Sequence, residues 1–283
     1  MRCDSPAKLN LFLAVNGKRS DGYHDITTLF CRVALFDTIT LEFGKKEHRV
    51  FCTDSSIPSD NRNLAYRAAF IFNAHLKEKR GEPGTGVDIH IEKNIPAGAG
   101  IGGGSSNAAG VLMGLNAFYN ELFSTPELMK MAMLIGADVP FFIFKKPAIG
   151  TGIGERLIPF EKLDPYTAVL VYPGYSVSTG LVFKNLNLGL TKCKQKLNCF
   201  LFTERFQCKK HLCNDLETVT ERMFPEITDI KHRLLDLGAE GALMSGSGTT
   251  VFGLFSDPDK ATDGFLVLSE NKNWKVFICD LMR

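Results

Sequence analysis

Between positions 7 and 15 the chain alternates, placing Leu9, Leu11, Leu13 and Val15 on one face of an extended segment and Lys8 and Asn10 on the other. Gly17 to Gly22 is polar and turn-like. Ile39, Leu41 and Phe43 alternate as a second strand, and Val87, Ile89 and Ile91 as a third. Leu64, Ala68, Ile71 and His75 recur at helical spacing and predict a helix from Asn63 through Lys79. A second helix is predicted over 105–120, carried by Ala109, Leu112, Met113 and Leu115. Thr125-Pro126-Glu127 then reads as an N-cap, a proline at the first helical position and an early acid, opening a helix that ends at Gly136. The apolar run Val139 to Phe144 reads as a short buried strand.

Beyond Pro147, Gly150, Gly152 and Gly154 mark a hinge or crossover. A strand is expected over 167–172 and two helical stretches over 215–237, divided near Pro225. The tail reads as strand (242–244), glycine turn (245–248), strand (251–255), helix (259–269) and strand (275–281). That order suggests an α+β unit of split-βαβ type. Residues 186–213 carry no legible pattern, and there are no internal repeats.

The third strand feeds into Pro96-Ala97-Gly98-Ala99-Gly100-Ile101-Gly102-Gly103-Gly104-Ser105-Ser106, with five glycines in seven residues just before a helix. Glycine permits positive φ and close backbone approach, and a helix start adds free N–H groups and a positive dipole end. Together they describe an anion site, most simply for phosphate. No Gly-x-x-x-x-Gly-Lys-[Ser/Thr] run is present, so the loop is not a Walker P-loop. Gly98, Gly100 and Gly103 satisfy Gly-x-Gly-x-x-Gly, but a helix follows where a dinucleotide fold needs a strand. Protein-kinase signatures are missing as well.

The 283 residues suffice for two ordinary domains. A net charge of +2 argues against a surface dominated by nucleic-acid binding. No stretch approaches a membrane span, and no targeting segment is seen, so a cytoplasmic location, bacterial or of plastid-stroma type, is expected. Eight scattered cysteines suit a reducing compartment better than a disulfide framework. Cys199, Cys208, His211 and Cys213 lack the two close pairs of a zinc site and are expected to be ordinary side chains.

Three segments in order, Pro6-Ala7-Lys8-Leu9-Asn10-Leu11, the loop Pro96–Ala109 and Gly241-Ala242-Leu243-Met244-Ser245-Gly246-Ser247-Gly248, resemble the three motifs of the GHMP kinase superfamily. Arg19-Ser20-Asp21-Gly22-Tyr23-His24 and Gly136-Ala137-Asp138-Val139-Pro140-Phe141-Phe142 resemble the branch acting on a cytidine-diphosphate-linked methylerythritol. The resemblance implies an α+β, two-domain fold: an N-terminal ATP-binding α/β domain (1–155) and a C-terminal ferredoxin-like domain (156–283), with the active site in the cleft between them. It implies ATP-dependent phosphorylation of the acceptor's 2-hydroxyl in the non-mevalonate isoprenoid pathway. The implied partners are small molecules, not nucleic acid or membrane, and the implied state is a monomer or weak dimer.

The implied site residues suit that chemistry. Phosphoryl transfer needs an oriented hydroxyl, an acceptor for its proton and neutralisation of phosphate charge. Asp138 is expected to take the proton and Lys8 to pair with it and hold the charge developing on oxygen; a purely structural ion pair is the alternative. Pro96, Ala97, Gly98, Ala99, Gly100, Ile101, Gly102, Gly103, Gly104, Ser105 and Ser106 would cradle the triphosphate. Mg²⁺ would be held mainly by phosphate and water, with Ser105 as a protein contact. Asn63 and Lys93 fall beside the adenosine by family position, against the alternatives of a helix cap and a solvated charge. Tyr23 and Phe183 would stack on the cytosine and His24 would read it, with Asn10, Thr179 and Gly246 along the rest of the acceptor. Ala97 and Ala99 depart from the methionine or glycine often found in relatives, and alanine keeps the loop compact.

Rival readings are a GHMP kinase for homoserine or a mevalonate derivative, a nucleotide-binding sensor without transfer, and an RNA-binding module. Tyr23 argues against the first, because a small aliphatic acceptor offers nothing to stack on. Retention of Lys8 and Asp138 argues against the second, and the near-neutral charge against the third.

Overall fold

The computed structural model describes residues 1–193 and 205–283. Contacts divide the chain into two compact units that interleave along the sequence: Met1–Ala7, Leu35–Ala97 and Gly102–Lys145 form one, and Lys8–Ala34, Gly98–Ile101 and Lys146–Arg283 the other. The interleaving arises because two strands are much longer than their hydrophobic signatures. β1 (Arg2–Lys18) and β2 (His24–Lys45) each pass from one unit into the other. The contiguous boundary expected at 155/156 is thus a division along the chain, and the packing follows a different line.

In the first unit, β2 pairs antiparallel with β4 (Gly86–Glu92), setting Ile39 opposite Ile91 and Leu41 opposite Ile89. β3 (Arg49–Cys52) adds to β4 in parallel. Four helices complete it: α1 (Leu64–Arg80), α2 (Gly103–Phe118), α3 (Thr125–Met133) and α4 (Val139–Phe144). Two glycines of α2 let that helix lie on the strands. A Cβ at Gly110 would stand 2.9 Å from Ile39 Cδ1, and one at Gly114 would stand 2.4 Å from Leu41 Cδ1.

Two expectations need correction here. Val139–Phe144 is a buried helix, not a strand. A short apolar run has no polar phase to distinguish the two, and Pro140, which suits a first helical turn, was the overlooked sign. The N-cap of α3 is Ser124, one residue before the expected Thr125, and its backbone N–H donates to Glu127 Oε2 at 2.7 Å.

In the second unit, β5 (Ala148–Gly152) pairs with the first half of β2 and turns into β6 (Arg156–Pro159). Gly150, Gly152 and Gly154 therefore build a tight hairpin where a hinge or crossover was expected. The rest is a four-stranded antiparallel sheet in the order β9 (Gly241–Met244), β10 (Val251–Phe255), β7 (Thr167–Tyr172), β11 (Lys275–Met282). Two helices lie in the crossovers, α8 (Glu226–Asp236) and α9 (Pro258–Ser269). The order β-α-β-β-α-β is the split βαβ that the tail predicted. Ile227, Ile230 and Leu234 of α8 and Leu268 of α9 close its core over Val169, Val171 and Phe255.

β8 is two residues long (Cys213–Asn214), pairing in parallel with β1 at Phe12 and Leu13. α5 (Thr179–Lys184) and α6 (Cys208–His211) precede it and α7 (Glu217–Met223) follows. Cys193 and Cys213 form a disulfide, against the expectation of unpaired thiols throughout. The partners lie 20 residues apart, with no spacing signature to reveal them. The bond excludes Cys213 as a zinc ligand, and His211 Nδ1 accepts from Gln207 N at 2.8 Å; Cys199 lies outside the described residues.

Closing a loop of 20 residues restricts the unfolded chain. Reduction with a dithiol, or Cys213→Ser, is therefore expected to cost about 3 kcal/mol and to lower Tm by roughly 5–10 °C. Thermal unfolding with and without reductant checks this, and an unchanged Tm would show that the bond contributes nothing.

Candidate active site

In the second unit, three segments distant in sequence are joined by hydrogen bonds. The middle of the glycine loop meets β1, where Lys8 N donates to Ile101 O at 2.9 Å. It also meets the turn after β9, where Ser245 Oγ donates to Gly100 O at 3.2 Å and Thr250 N donates to Ala99 O at 3.1 Å. Asn10 N in turn donates to Ser245 Oγ at 3.2 Å. Gly98, Gly100 and Gly102 have φ of 63°, 79° and 75°, while Ala99 and Ile101 between them stay at negative φ. Alternating hands along a backbone turn successive N–H groups to one side, the geometry that cradles an anion.

Lys8 and Asn10 are buried, not solvent-facing, although they lie on the more polar face of β1. Lys8 Nζ donates to Asn10 Oδ1 at 2.5 Å and stands 5.3 Å from the centroid of the Phe30 ring. Asn10 Nδ2 donates to Thr28 Oγ1 at 2.8 Å, which donates to Phe12 O at 2.7 Å. Gly246 closes on this pair at a φ of 58°, and a Cβ there would stand 3.0 Å from Gly100 O, 3.2 Å from Asn10 Oδ1 and 3.6 Å from Lys8 Nζ. Lys8, Asn10, Gly100 and Gly246, expected from three stretches of sequence, thus come together.

Also in this unit, His24 stacks on Phe183 with ring centroids 4.9 Å apart. Phe183 packs against the cluster around Val182, Leu216 and Val219, so one face of the aromatic pair is fixed. Tyr23 is 60% exposed. Burial, reinforced by the positive charge of Lys18, holds the His24 pKa below its ordinary value, so the ring is neutral at pH 7. Thr179 Oγ1 shares a hydrogen bond with Ser247 Oγ at 2.9 Å.

In the first unit, Asn63 is a helix cap: its Oδ1 accepts from Ala65 N at 2.9 Å, and its Nδ2 donates to Pro58 O at 2.8 Å. Lys93 is not a solvated charge. Its side chain is buried, and Nζ donates to Asp37 Oδ2 at 2.8 Å and to Ile95 O. Asp37 Oδ1 accepts from Asn94 N and Ile95 N, each at 2.8 Å. A Cβ on Gly103 would lie 3.1 Å from Lys93 Nζ, so the ammonium sits at the opening turn of α2. Pro96 is buried and Ala97 half-buried. Gly104 is exposed, Ser105 half-buried and Ser106 buried with its hydroxyl free of hydrogen bonds among the described residues. Asp138 immediately precedes α4 and is half-buried.

Asp37 escaped the sequence reading, yet it fixes Lys93 and the approach to the loop. The signal was present: Asp37 falls in phase with Ile39, Leu41 and Phe43, and an acid on an apolar face needs a buried partner.

An alternating glycine loop tied to a strand lysine and a second glycine turn sets backbone donors and a cation side by side, an arrangement suited to a small-molecule kinase. The "GHMP kinases N terminal domain" matches residues 63–146 and the "GHMP kinases C terminal" domain residues 204–272. The chain is a GHMP kinase. It is 47% identical over 274 residues to the 4-diphosphocytidyl-2-C-methyl-D-erythritol kinase of Syntrophotalea carbinolica, covering 96% of each chain. It is 44% identical over 275 residues to that of Syntrophus aciditrophicus, again covering 96% of each. A crystal structure of 4-(cytidine 5'-diphospho)-2C-methyl-D-erythritol kinase superposes with a TM-score of 0.80 at 37% identity, covering all of both chains. Homoserine kinase from Cytophaga hutchinsonii, at 18% identity, a TM-score of 0.72 and coverage of 99% of this chain and 96% of that one, shares the fold. The chain belongs to the 4-diphosphocytidyl-2-C-methyl-D-erythritol kinase family.

Removing one partner of a buried pair strands the other charge. Asp37→Ala is expected to destabilise the protein by about 3–5 kcal/mol. The double variant Asp37→Ala/Lys93→Met is expected to recover part of that loss, since no charge is left unpaired. Denaturant unfolding of the four proteins measures the coupling, and additive effects would show that the pair does not act as a unit.

Proposed function

We infer that this protein transfers the γ-phosphoryl group of ATP to the 2-hydroxyl of 4-diphosphocytidyl-2-C-methyl-D-erythritol, releasing ADP. The observation that carries the reaction class is the stitching of Lys8, Asn10, Gly100 and Gly246 around an anion-cradling loop. The names and identities of full-length relatives support the acceptor. So does the His24–Phe183 pair, a fixed aromatic surface with a neutral polar edge, of the kind a cytosine ring stacks on and is read by.

In this reading the acceptor oxygen attacks the γ-phosphorus while the bond to the β-phosphate oxygen breaks. The hydroxyl proton passes to the Asp138 carboxylate. Lys8, its ammonium fixed by Asn10, stabilises negative charge on the attacking oxygen. N–H groups of Gly98–Ser106 hold the triphosphate, and the Lys93–Asp37 pair fixes the opening turn of α2 on which it rests. Asn63 acts by capping α1, and Thr179 and Gly246 line the acceptor side. Mg²⁺ supplies charge neutralisation on the phosphates when bound. The buried, unpartnered Ser106 hydroxyl and its half-buried neighbour Ser105 fit as single oxygen ligands to it. Both substrates are water-soluble, which supports a cytoplasmic enzyme, read as a monomer or weak dimer; among the described residues no helix is long and apolar enough to cross a membrane.

A substrate panel tests the reading. ADP release is expected with the cytidyl substrate and not with homoserine or mevalonate; the reverse pattern would overturn it. Asp138→Ala and Lys8→Met are each expected to lower kcat by about 10²–10⁴-fold while ATP still binds, and wild-type turnover in Asp138→Ala would remove it from the reaction. If the neutral His24 ring reads the base, kcat/KM for the cytidyl substrate falls as pH drops below the ordinary imidazole range, where the ring protonates. KM for ATP should not follow, and a His24 variant should lose this dependence; a flat profile in the native enzyme would exclude the role.

A further inference from the structure

Beneath the glycine turn Ser245–Gly248 lies a polar scaffold that includes none of the expected site residues. Asn214, Glu217 and Thr220 recur at three-residue intervals where β8 leads into α7, and each reaches the turn or its approach. The Asn214 amide donates to Met244 O at 2.8 Å and to Gly246 O at 2.7 Å, and its oxygen accepts from Leu216 N at 3.0 Å. Glu217 Oε1 accepts from Met244 N at 2.8 Å, while Lys231 Nζ donates to Oε2 at 2.7 Å. Thr220 Oγ1 donates to Ser247 O at 3.1 Å. All three side chains are buried.

We propose that Asn214, supported by Glu217 and Thr220, is a positioning residue for phosphoryl transfer that acts through the glycine turn. Asparagine is suited to the place because its short side chain offers two donors and an acceptor, and here all three functions are engaged. The C=O and N–H of one trans peptide unit point in opposite directions. Holding Gly246 O toward Asn214 therefore turns the Ser247 N–H to the opposite side of the turn. Gly246 itself must approach Gly100, Asn10 and Lys8 closely, so a shift of the turn is a shift of the lysine's surroundings. The segment that holds it is well anchored. Asp215 Oδ2 accepts from Val15 N at 2.9 Å, and Oδ1 accepts from Lys192 N at 2.9 Å and from Cys193 N at 3.1 Å. The catalytic part of this inference rests on the kinase reading above; the structural part does not.

Two shape-preserving variants test it. Asn214→Asp replaces two donors by an acceptor facing two carbonyls, and Thr220→Val removes only the hydroxyl. In Asn214→Asp, amide hydrogen exchange over 245–250 is expected to accelerate by about tenfold, with exchange elsewhere unchanged. Its kcat for the cytidyl substrate is expected to fall by roughly 10- to 100-fold, while KM for ATP and for the acceptor stays within about threefold. Relative to the native enzyme, its activity should rise as pH is lowered, because a protonated carboxyl regains one donor. Thr220→Val should show the same pattern more weakly, and it decides the matter alone if Asn214→Asp does not fold. Native-like exchange in the turn, or a loosened turn with native kcat, overturns the proposal. If the native enzyme does not turn over the cytidyl substrate, the kinase reading fails, and the exchange arm, which needs no substrate, still decides whether Asn214 holds the turn.

Discussion

The hydroxyl of Ser245 is the joint on which the site of the second unit depends. It accepts from the backbone of Asn10 and donates to the carbonyl of Gly100, bridging sequence separations of 235 and 145 residues with one oxygen atom. A serine hydroxyl can do both because it is donor and acceptor at once. Alanine would leave an N–H and a C=O unpaired in a buried setting, where each lost bond costs on the order of 1–3 kcal/mol. The cost would not stay local, because the three segments joined there carry Lys8, the glycine loop and Gly246.

That joint explains where glycine is required. A Cβ on Gly100 would lie 2.5 Å from Ser245 O and 2.7 Å from Gly248 O, closer than real Cβ atoms come to any backbone oxygen. Gly100 and Gly246 also both sit at positive φ. The two glycine segments are therefore glycine-rich partly for each other's sake, packing backbone on backbone. Rigidity follows, and rigidity is what phosphate binding asks of a loop whose N–H groups must already point one way. Ala99 fits the same logic: its carbonyl is taken by Thr250 N and its side chain is buried, so a small apolar residue at negative φ suffices.

Part of this is legible in the sequence because glycine clusters and motif residues are chemically conspicuous. The glycine loop and its anion-cradling character are read from residue type and spacing, whereas Lys8, Asn10 and Gly246 stand out through their resemblance to the GHMP kinase motifs, and Asn63 reads equally as a nucleotide contact or a helix cap. Long-range partners cannot be read this way. Asp215, Asn214 and Glu217 are single polar residues in unremarkable surroundings, and what defines each is a buried backbone group elsewhere in the chain. The Cys193–Cys213 bond was hidden for the same reason. The strand assigned to Val139–Phe144 failed differently: burial on all sides removes the polar phase that tells helix from strand. By sequence Lys93 suits a ligand contact or a solvated charge, and the structure adds a buried carboxylate partner, Asp37, that only the fold brings to it.

Two kinds of charge management coexist in the chain. Lys93 is neutralised by a carboxylate that is itself saturated by two backbone donors, so the pair is a fixed part of the fold beside α2. Lys8, by contrast, is oriented by the neutral amide oxygen of Asn10 and the face of Phe30. Neither of these contacts cancels its charge, though both restrict where the ammonium can point. An amide oxygen and a ring face aim a cation without taking up its charge, whereas a carboxylate saturated by backbone donors holds Lys93 as part of the frame beside α2. Lys8 and Lys93 are therefore anchored by different means, and a substitution that moves Asn10 would turn the first ammonium while leaving the second in place.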